Sequence, residues 1–259
     1  MKKNNSNRKI FIVEGNIGSG KSTMLSILKN QLPVTVIPEP TIKWQQVGDH
    51  GNLLDLFYKD IPRWGYTFQS YAFLTRIQAL LEYYNSAIDT RSQEILILER
   101  SVYCDRFCFA KNVFESGLMT PLEWQIYKEW FTWLVEAYTP RPDGFIYLRT
   151  SPEVSHQRLI KRQRSEESAI ALSYLQSLHQ KHEDWLIHQQ ENISFLHNVP
   201  VLALSCDEDF ENTEHTQRSH LEIIKNFILQ QDVQQDVQNL DKNKHKATSS
   251  GTISSSMIR

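Results

Sequence analysis

The chain has 259 residues, of which 40% are hydrophobic and 22% charged, and its net charge is −2. That is ordinary globular composition, long enough for one large domain or two small ones around a sizeable core. Nothing in the near-neutral balance suggests a nucleic-acid polymer or an anionic membrane surface as partner, and no apolar run approaches the roughly 20 residues that span a bilayer.

The N-terminus, Met1 to Lys9, is polar and basic, and the apolar run after it is only Ile10 to Val13. This is too short for the apolar region of a signal peptide, and a mitochondrial transit peptide would be longer and rich in Arg and Ser. The three cysteines, Cys104, Cys108 and Cys206, form no disulfide framework, as expected of a reducing compartment. These features predict a cytoplasmic protein.

The apolar run leads into Gly15-Asn16-Ile17-Gly18-Ser19-Gly20-Lys21-Ser22-Thr23, followed by a helical pattern from Met24 to Leu28. Strand, glycine loop and helix in this order form a phosphate cradle. The loop turns backbone N–H groups inward, and the helix points its positive end at the same anion. Lys21 reaches the outer phosphates and the Ser22 hydroxyl can ligate magnesium.

Five short runs rich in Ile, Val, Leu and Phe recur along the chain: Lys9–Val13, Val34–Ile37, Glu94–Leu98, Gly144–Leu148 and Val201–Ser205. Their lack of polar alternation predicts parallel strands buried on both faces. Helical patterns lie between them, so the fold class is α/β, with helices on both faces of one five-stranded parallel sheet. Ligands of such sheets bind beyond the carboxyl ends of the strands. There stand the glycine loop, Pro38-Glu39-Pro40 and Glu99-Arg100-Ser101.

From Thr41 to Tyr66 the chain reads as loop with one apolar patch, Leu53 to Tyr58; a long helix is predicted from Tyr66 to about Ser86. Phe68, Tyr71, Ala72, Thr75, Ala79 and Tyr83 would form its buried stripe, with Gln69 and Arg76 two turns apart on a neighbouring face. Cys104 and Cys108 read as small core residues, one helical turn apart with no second pair to complete a zinc site. Thr120-Pro121-Leu122-Glu123 is a capped helix start. The helix beyond it carries Trp124, Tyr127, Trp130, Phe131, Trp133 and Tyr138, more apolar circumference than one core-facing stripe needs. Its second face predicts a homodimer.

Ser151-Pro152-Glu153 starts another helix, running into Arg158, Lys161, Arg162 and Arg164. Beside a phosphate loop this basic cluster predicts an arginine-rich lid. A helix is predicted from Leu172 to about Gln190; its His179 and His182 have no third ligand in view. Residues 1–229 form the predicted domain, and the polar stretch 230–259 cannot bury enough apolar surface to order and is expected to be a disordered tail.

Phosphate loop, strand-end acids and arginine lid together make a phosphoryl-transfer site, in which the protein positions and neutralises. Glu39 is placed to take a proton from a substrate hydroxyl, Glu99 to hold magnesium beside Ser22, and Arg100 with the lid arginines to neutralise the transferred group. Trp44, Phe57, Tyr58, Phe68 and Phe109 supply flat apolar walls, and the Gln69 amide can read a base edge. Two alternatives are a nucleoside monophosphate kinase, which would need cations for the acceptor's own phosphate, and a nucleotide-dependent regulatory P-loop protein, which would usually carry a guanine-reading Asn-Lys-x-Asp. Asp241-Lys242-Asn243-Lys244 is not that motif.

At these residues the chain resembles the deoxynucleoside kinases, in particular the deoxycytidine and deoxyguanosine kinase branch. The resemblance rests on Val13 to Ser22, Pro38-Glu39-Pro40 with Trp44, Asn52 to Tyr58 with Arg63-Trp64, Phe68-Gln69-Ser70-Tyr71, Glu99 to Tyr103, and Arg162 to Glu167. It extends to about Phe210, with a shorter segment between Trp44 and Asn52. It implies a P-loop kinase fold, ATP or another triphosphate as donor with magnesium, and a dimer. It further implies Glu39 as base for the 5′-hydroxyl with Arg100 beside it, and Tyr58 and Glu167 on the sugar 3′-hydroxyl. Gln69 would pair with the base between Trp44, Phe68 and Phe109. Arg158, Arg162 and Arg164 would lie on the donor phosphates, and Glu208-Asp209-Phe210 against the donor's adenine. The pair Arg76 and Asp105 implies deoxyguanosine, deoxyadenosine or deoxycytidine over thymidine, because a guanidinium fixed by a carboxylate fills the space a thymine methyl needs.

Overall fold

The structure is a computed structural model and describes residues 8–86, 94–190 and 193–230. Its centre is a five-stranded sheet of β1 (Arg8–Glu14), β2 (Thr35–Ile37), β3 (Glu94–Glu99), β4 (Gly144–Arg149) and β5 (Val201–Ser205). The strands are all parallel, in the order β2-β3-β1-β4-β5. The five predicted strands are all present, most of them shifted by a residue at one end or both.

Alternation along the strands sends side chains into two cores. Phe11, Val13, Ile97, Ile146 and Leu148 meet α1 (Lys21–Gln31) and the helix 214–230 on one face. Ile10, Ile12, Leu96, Phe145 and Tyr147 meet the larger cluster on the other. That larger cluster is built by α4 (Ile61–Ser86), α7 (Pro121–Tyr138), α9 (Leu172–His182) and a helical run between β3 and α7. The run is α5 (Val102–Cys104), a π-helical turn Asp105–Ala110, and α6 (Lys111–Glu115). Pairing of Val13 with both Glu99 and Ile146 brings the carboxyl ends of β1 and β3 together, with β4 running a little further to Arg149, which gathers their following loops at one edge.

The segment 41–66 is not the loop expected from sequence. It holds α2 (Thr41–Gln45), α3 (Leu53–Lys59) and the first turn of α4. Asn52 caps α3 by accepting from Asp55 N at 2.9 Å. Pro62 stands in the first turn of α4, where its missing N–H costs nothing. The buried face of α4 also differs: Phe68, Ala72 and Thr75 are buried as expected, but Phe73, Ile77 and Leu80 join them, whereas Tyr71, Ala79 and Tyr83 are only half-buried. Gln69 and Arg76, placed on a neighbouring face, are buried too, because α3 and the π-helical turn close over that side. The predicted helix 172–190 is α-helical to His182 and then widens into a π-helical turn, Glu183–Ile187.

The capping box of Thr120 and Glu123 is formed. Both Cys104 and Cys108 are core residues, as read, and all three cysteines are free. The last helix reaches residue 230; the rest of the expected polar tail lies outside the described residues. Among those residues no helix is long and apolar enough to cross a membrane.

Candidate active site

The phosphate loop joins β1 to α1. Gly20 caps α1 in a left-handed conformation, φ 90°, and a Cβ there would stand 2.6 Å from Cζ of Phe210. At Gly18, φ 78°, a Cβ would stand 2.4 Å from the carbonyl oxygen of Ser155. Both positions therefore need glycine for conformation and for space. Lys21 turns its ammonium into the loop, donating to the carbonyls of Asn16 at 2.7 Å and Gly15 at 3.1 Å. Burial, helped by Arg100, lowers its pKa to about 7; phosphate oxygens arriving beside it would restore the charge. The Asn16 side chain is turned away, tying the loop to α9 through a 2.8 Å bond to the Leu175 carbonyl.

Ser22 Oγ donates to Glu99 Oε1 at 2.8 Å, so the end of β3 and the start of α1 present a hydroxyl and a carboxylate side by side. Glu39, just past β2, meets two guanidiniums. Arg100 Nη1 donates to its two oxygens at 3.0 and 3.3 Å, and Arg76 Nη2 also donates to Oε1. Burial pushes the Glu39 carboxyl up, but Arg100, Arg76 and Lys21 outweigh it and hold its pKa at about 2. Arg76 donates through Nε to Asp105 Oδ2 at 2.8 Å. Burial lifts Asp105 to about 6 even against that arginine; it stays an anion at neutral pH.

Arg100 has φ 60°, a left-handed backbone uncommon outside glycine. Its N–H still donates to Val13 O at 2.9 Å, so the chain leaves β3 sharply while the guanidinium lies 4.9 Å from the Phe109 ring centre. The residue pattern names Arg100 as functional; its strained backbone has no sequence signal.

These groups line one cavity of about 240 Å³ with Trp44, Tyr58, Phe68, Gln69, Phe109, Arg162, Arg164 and Glu167. Leu54, Phe57 and Ala72 complete its wall. Phe57 stacks on Phe68 with centres 4.5 Å apart, and Trp44 meets Phe68 edge-on at 5.5 Å. Gln69 is 1% exposed, and its Nε2 has no hydrogen-bond partner. A buried amide donor facing a cavity without a partner suits a ligand acceptor. Trp44 is held by Nε1 donating to Thr75 Oγ1 at 2.8 Å.

The lid residues separate into two groups. Arg162 and Arg164 both pair with Glu167, the latter at 3.6 Å. Arg158, on α8 (Pro152–Arg162), instead donates to the carbonyls of Asp207 and Glu208 at 3.2 and 2.9 Å. It lines a second cavity with Asp209 and Phe210. Glu208 does not line that cavity; its carbonyl holds Arg158 and its carboxylate accepts from Thr216. The two cavities share Gly18, Gly20, Thr23 and Arg162, so they meet at the phosphate loop. Sequence reading missed Glu166, which accepts from Gln45 Nε2 at 2.8 Å and Asn52 Nδ2 at 3.0 Å. That latch ties the lid to α2 and α3 across the shortened segment between Trp44 and Asn52.

A family model described as deoxynucleoside kinase matches residues 11–229. The chain belongs to the deoxynucleoside kinase family. It is 41% identical over 240 residues to a deoxycytidine kinase 2 of Gallus gallus, covering 85% of this chain and 90% of that one. It is 39% identical over 235 residues to a deoxycytidine kinase of Homo sapiens, covering 83% and 89%. It is 39% identical over 217 residues to a mitochondrial deoxyguanosine kinase of Xenopus laevis, covering 77% and 82%. The resemblance to the deoxycytidine and deoxyguanosine branch is thus borne out. As a deoxynucleoside kinase the chain is an enzyme that phosphorylates nucleosides, which sets aside the monophosphate-kinase and regulatory readings.

Proposed function

We propose that this deoxynucleoside kinase transfers the γ-phosphoryl group of ATP to the 5′-hydroxyl of deoxyguanosine, deoxyadenosine or deoxycytidine in preference to thymidine. The observation that carries the preference is Arg76, fixed by Asp105 at 2.8 Å and set in one cavity with Gln69. A guanidinium clamped in this way occupies volume beside the base and offers donors to its acceptor atoms. The relatives named above for deoxycytidine and deoxyguanosine support the same preference.

In this reading Glu39 receives the 5′-hydroxyl proton, and Arg100 orients Glu39 and faces the transferred group. Tyr58 and Glu167 face the sugar, Gln69 reads the base, and Trp44, Phe68 and Phe109 wall it. Gly15 to Thr23 and the arginines at 158, 162 and 164 hold the donor phosphates, with Asp209 and Phe210 beside its base. Ser22 and Glu99 present hard oxygen donors 2.8 Å apart, a donor set that fits magnesium. When bound, magnesium would neutralise charge on the donor phosphates.

The test is phosphoryl transfer from labelled ATP with magnesium to each of the four deoxynucleosides, with a control lacking acceptor. A 5′-monophosphate from the purines or deoxycytidine, with thymidine the poorest, is expected. Thymidine as best substrate would overturn the preference.

The homodimer proposal has support from α7. Trp130 and Trp133 are 50% and 54% exposed, and Leu122 is 70% exposed, although the helix buries its other face. Sedimentation velocity is expected to give twice the chain mass, and Trp130→Lys with Trp133→Lys a monomer that keeps its fold. A wild-type monomer at micromolar concentration would remove this element. The cytoplasm is the compartment favoured, on the three free, buried cysteines.

A further inference from the structure

Behind the phosphate loop, in the larger core, three metal-ligating side chains converge. Cys104 and Cys108 lie on either side of the junction between α5 and the π-helical turn, and His182 ends α9; all three are 0% exposed. Their ligand atoms lie within 4.8 Å of one another, and Cys104 Sγ is 3.4 Å from His182 Nε2. Sequence reading gave the cysteines no partner and the histidine no third ligand, because 78 positions separate Cys104 from His182.

The imidazole is set up on its far side. His182 Nδ1 lies 2.7 Å from the Leu178 carbonyl oxygen. A carbonyl can only accept, so Nδ1 carries a proton, and Nε2 is the ring nitrogen turned to the thiols. A ligating histidine is commonly fixed in this way. The Tyr147 ring lies parallel to the imidazole, 4° between planes and 5.8 Å between centres, and holds its orientation. A further buried oxygen is near this charge cluster. Glu14 is 0% exposed; it accepts from Ser101 Oγ at 2.5 Å, and its Oε2 has no partner. Its carboxyl interacts electrostatically with both His182 and Cys108.

We propose that Cys104, Cys108 and His182 bind one thiophilic d10 cation, of which zinc is the type. On binding, each thiol gives its proton to solvent and its sulfur lone pair to the metal; two thiolates and a neutral imidazole then enclose a divalent ion with no net charge. That neutrality lets the centre sit in an apolar core, where an isolated charge could not. No redox change is involved. The ion joins the helical run that carries Asp105 and Phe109 to α9, and so stiffens one wall of the nucleoside cavity. The bland alternative is a packed pair of thiols hydrogen-bonded to a core histidine.

The alternatives separate in a titration of the full-length chain, kept reduced by a phosphine and with magnesium in excess, with Cd2+ and then Zn2+. The expected results are one ion per chain, the ultraviolet charge-transfer absorption of cadmium–thiolate bonds, about two protons released per ion, and a higher Tm. Thiolate absorption reports sulfur ligation alone, so metal held at Ser22 and Glu99 does not contribute to it. Cys206→Ser should change none of this; Cys104→Ser and Cys108→Ser should each weaken the band and the binding. Wild-type protein showing no thiolate band and no proton release after prolonged incubation overturns the site without needing any variant.

Discussion

Replacing Glu39 by Gln should lower kcat for 5′-phosphoryl transfer by about 10²–10⁴-fold while leaving donor binding nearly unchanged. That is the ordinary contribution of a positioned general base, and the amide keeps shape and hydrogen bonding but cannot take the proton. Glu39 stands half-buried between Arg76 and Arg100 and is held at a pKa of about 2. It is therefore ionised at every pH the enzyme is assayed, and its titration should leave no acid limb in kcat/KM above about pH 3. So acidic a carboxylate is a weak base. Phosphoryl transfer tolerates this, because its loose transition state asks little of the nucleophile until late and depends mostly on alignment. An intact donor affinity measured by titration, with kcat lost, is the expected pattern. Equal loss of both would mean that Glu39 only neutralises Arg76 and Arg100, and retention of kcat would remove the base altogether.

How much of this was legible depended on range. The strands announced themselves because a strand covered on both faces must be apolar throughout, and Phe11 and Ile12 had to satisfy two different cores. The phosphate loop was legible because its chemistry lies within nine consecutive residues. Segment 41–66 reads as loop because α2 and α3, five and seven residues long, hold fewer than two turns each, too few for the apolar period to repeat, and their buried face is set by α4 and the lid. The lid arginines were legible as a cluster, but not their division, since Arg158 turns to the carbonyls of Asp207 and Glu208 some 50 positions away. Contacts such as Glu166 with Asn52 and His182 with Cys104 join residues 114 and 78 positions apart, and no local pattern encodes them.

The second large effect is expected from Arg76, whose position in the fold gives it two tasks where sequence suggested one. As a specificity residue clamped by Asp105, its removal in Arg76→Met with Asp105→Ala should open space for a thymine methyl. Thymidine's kcat/KM relative to deoxycytidine should then rise by about 10–200-fold, the scale at which a pocket discriminates one methyl group. The same guanidinium also holds Glu39, and its loss removes a charge-assisted bond to the base, so kcat on the best wild-type nucleoside should fall by about 10–100-fold. The sign of the pH effect follows from Glu39. Arg76 lowers its pKa, and burial alone would raise it, so without Arg76 the value rises from about 2, while Arg100 and Lys21 still hold it down. The acid limb should therefore stand at higher pH in the double variant than in the wild type, with activity lost as pH falls through the raised pKa. Asp105→Ala alone separates the tasks, because Arg76 can keep Glu39 while losing its clamp; thymidine should gain and the pH profile should stay flat. Parallel pH profiles of the three proteins on deoxycytidine and thymidine decide the matter. A flat profile in the double variant breaks the link between Arg76 and the base, and unchanged thymidine turnover refutes the steric account of specificity.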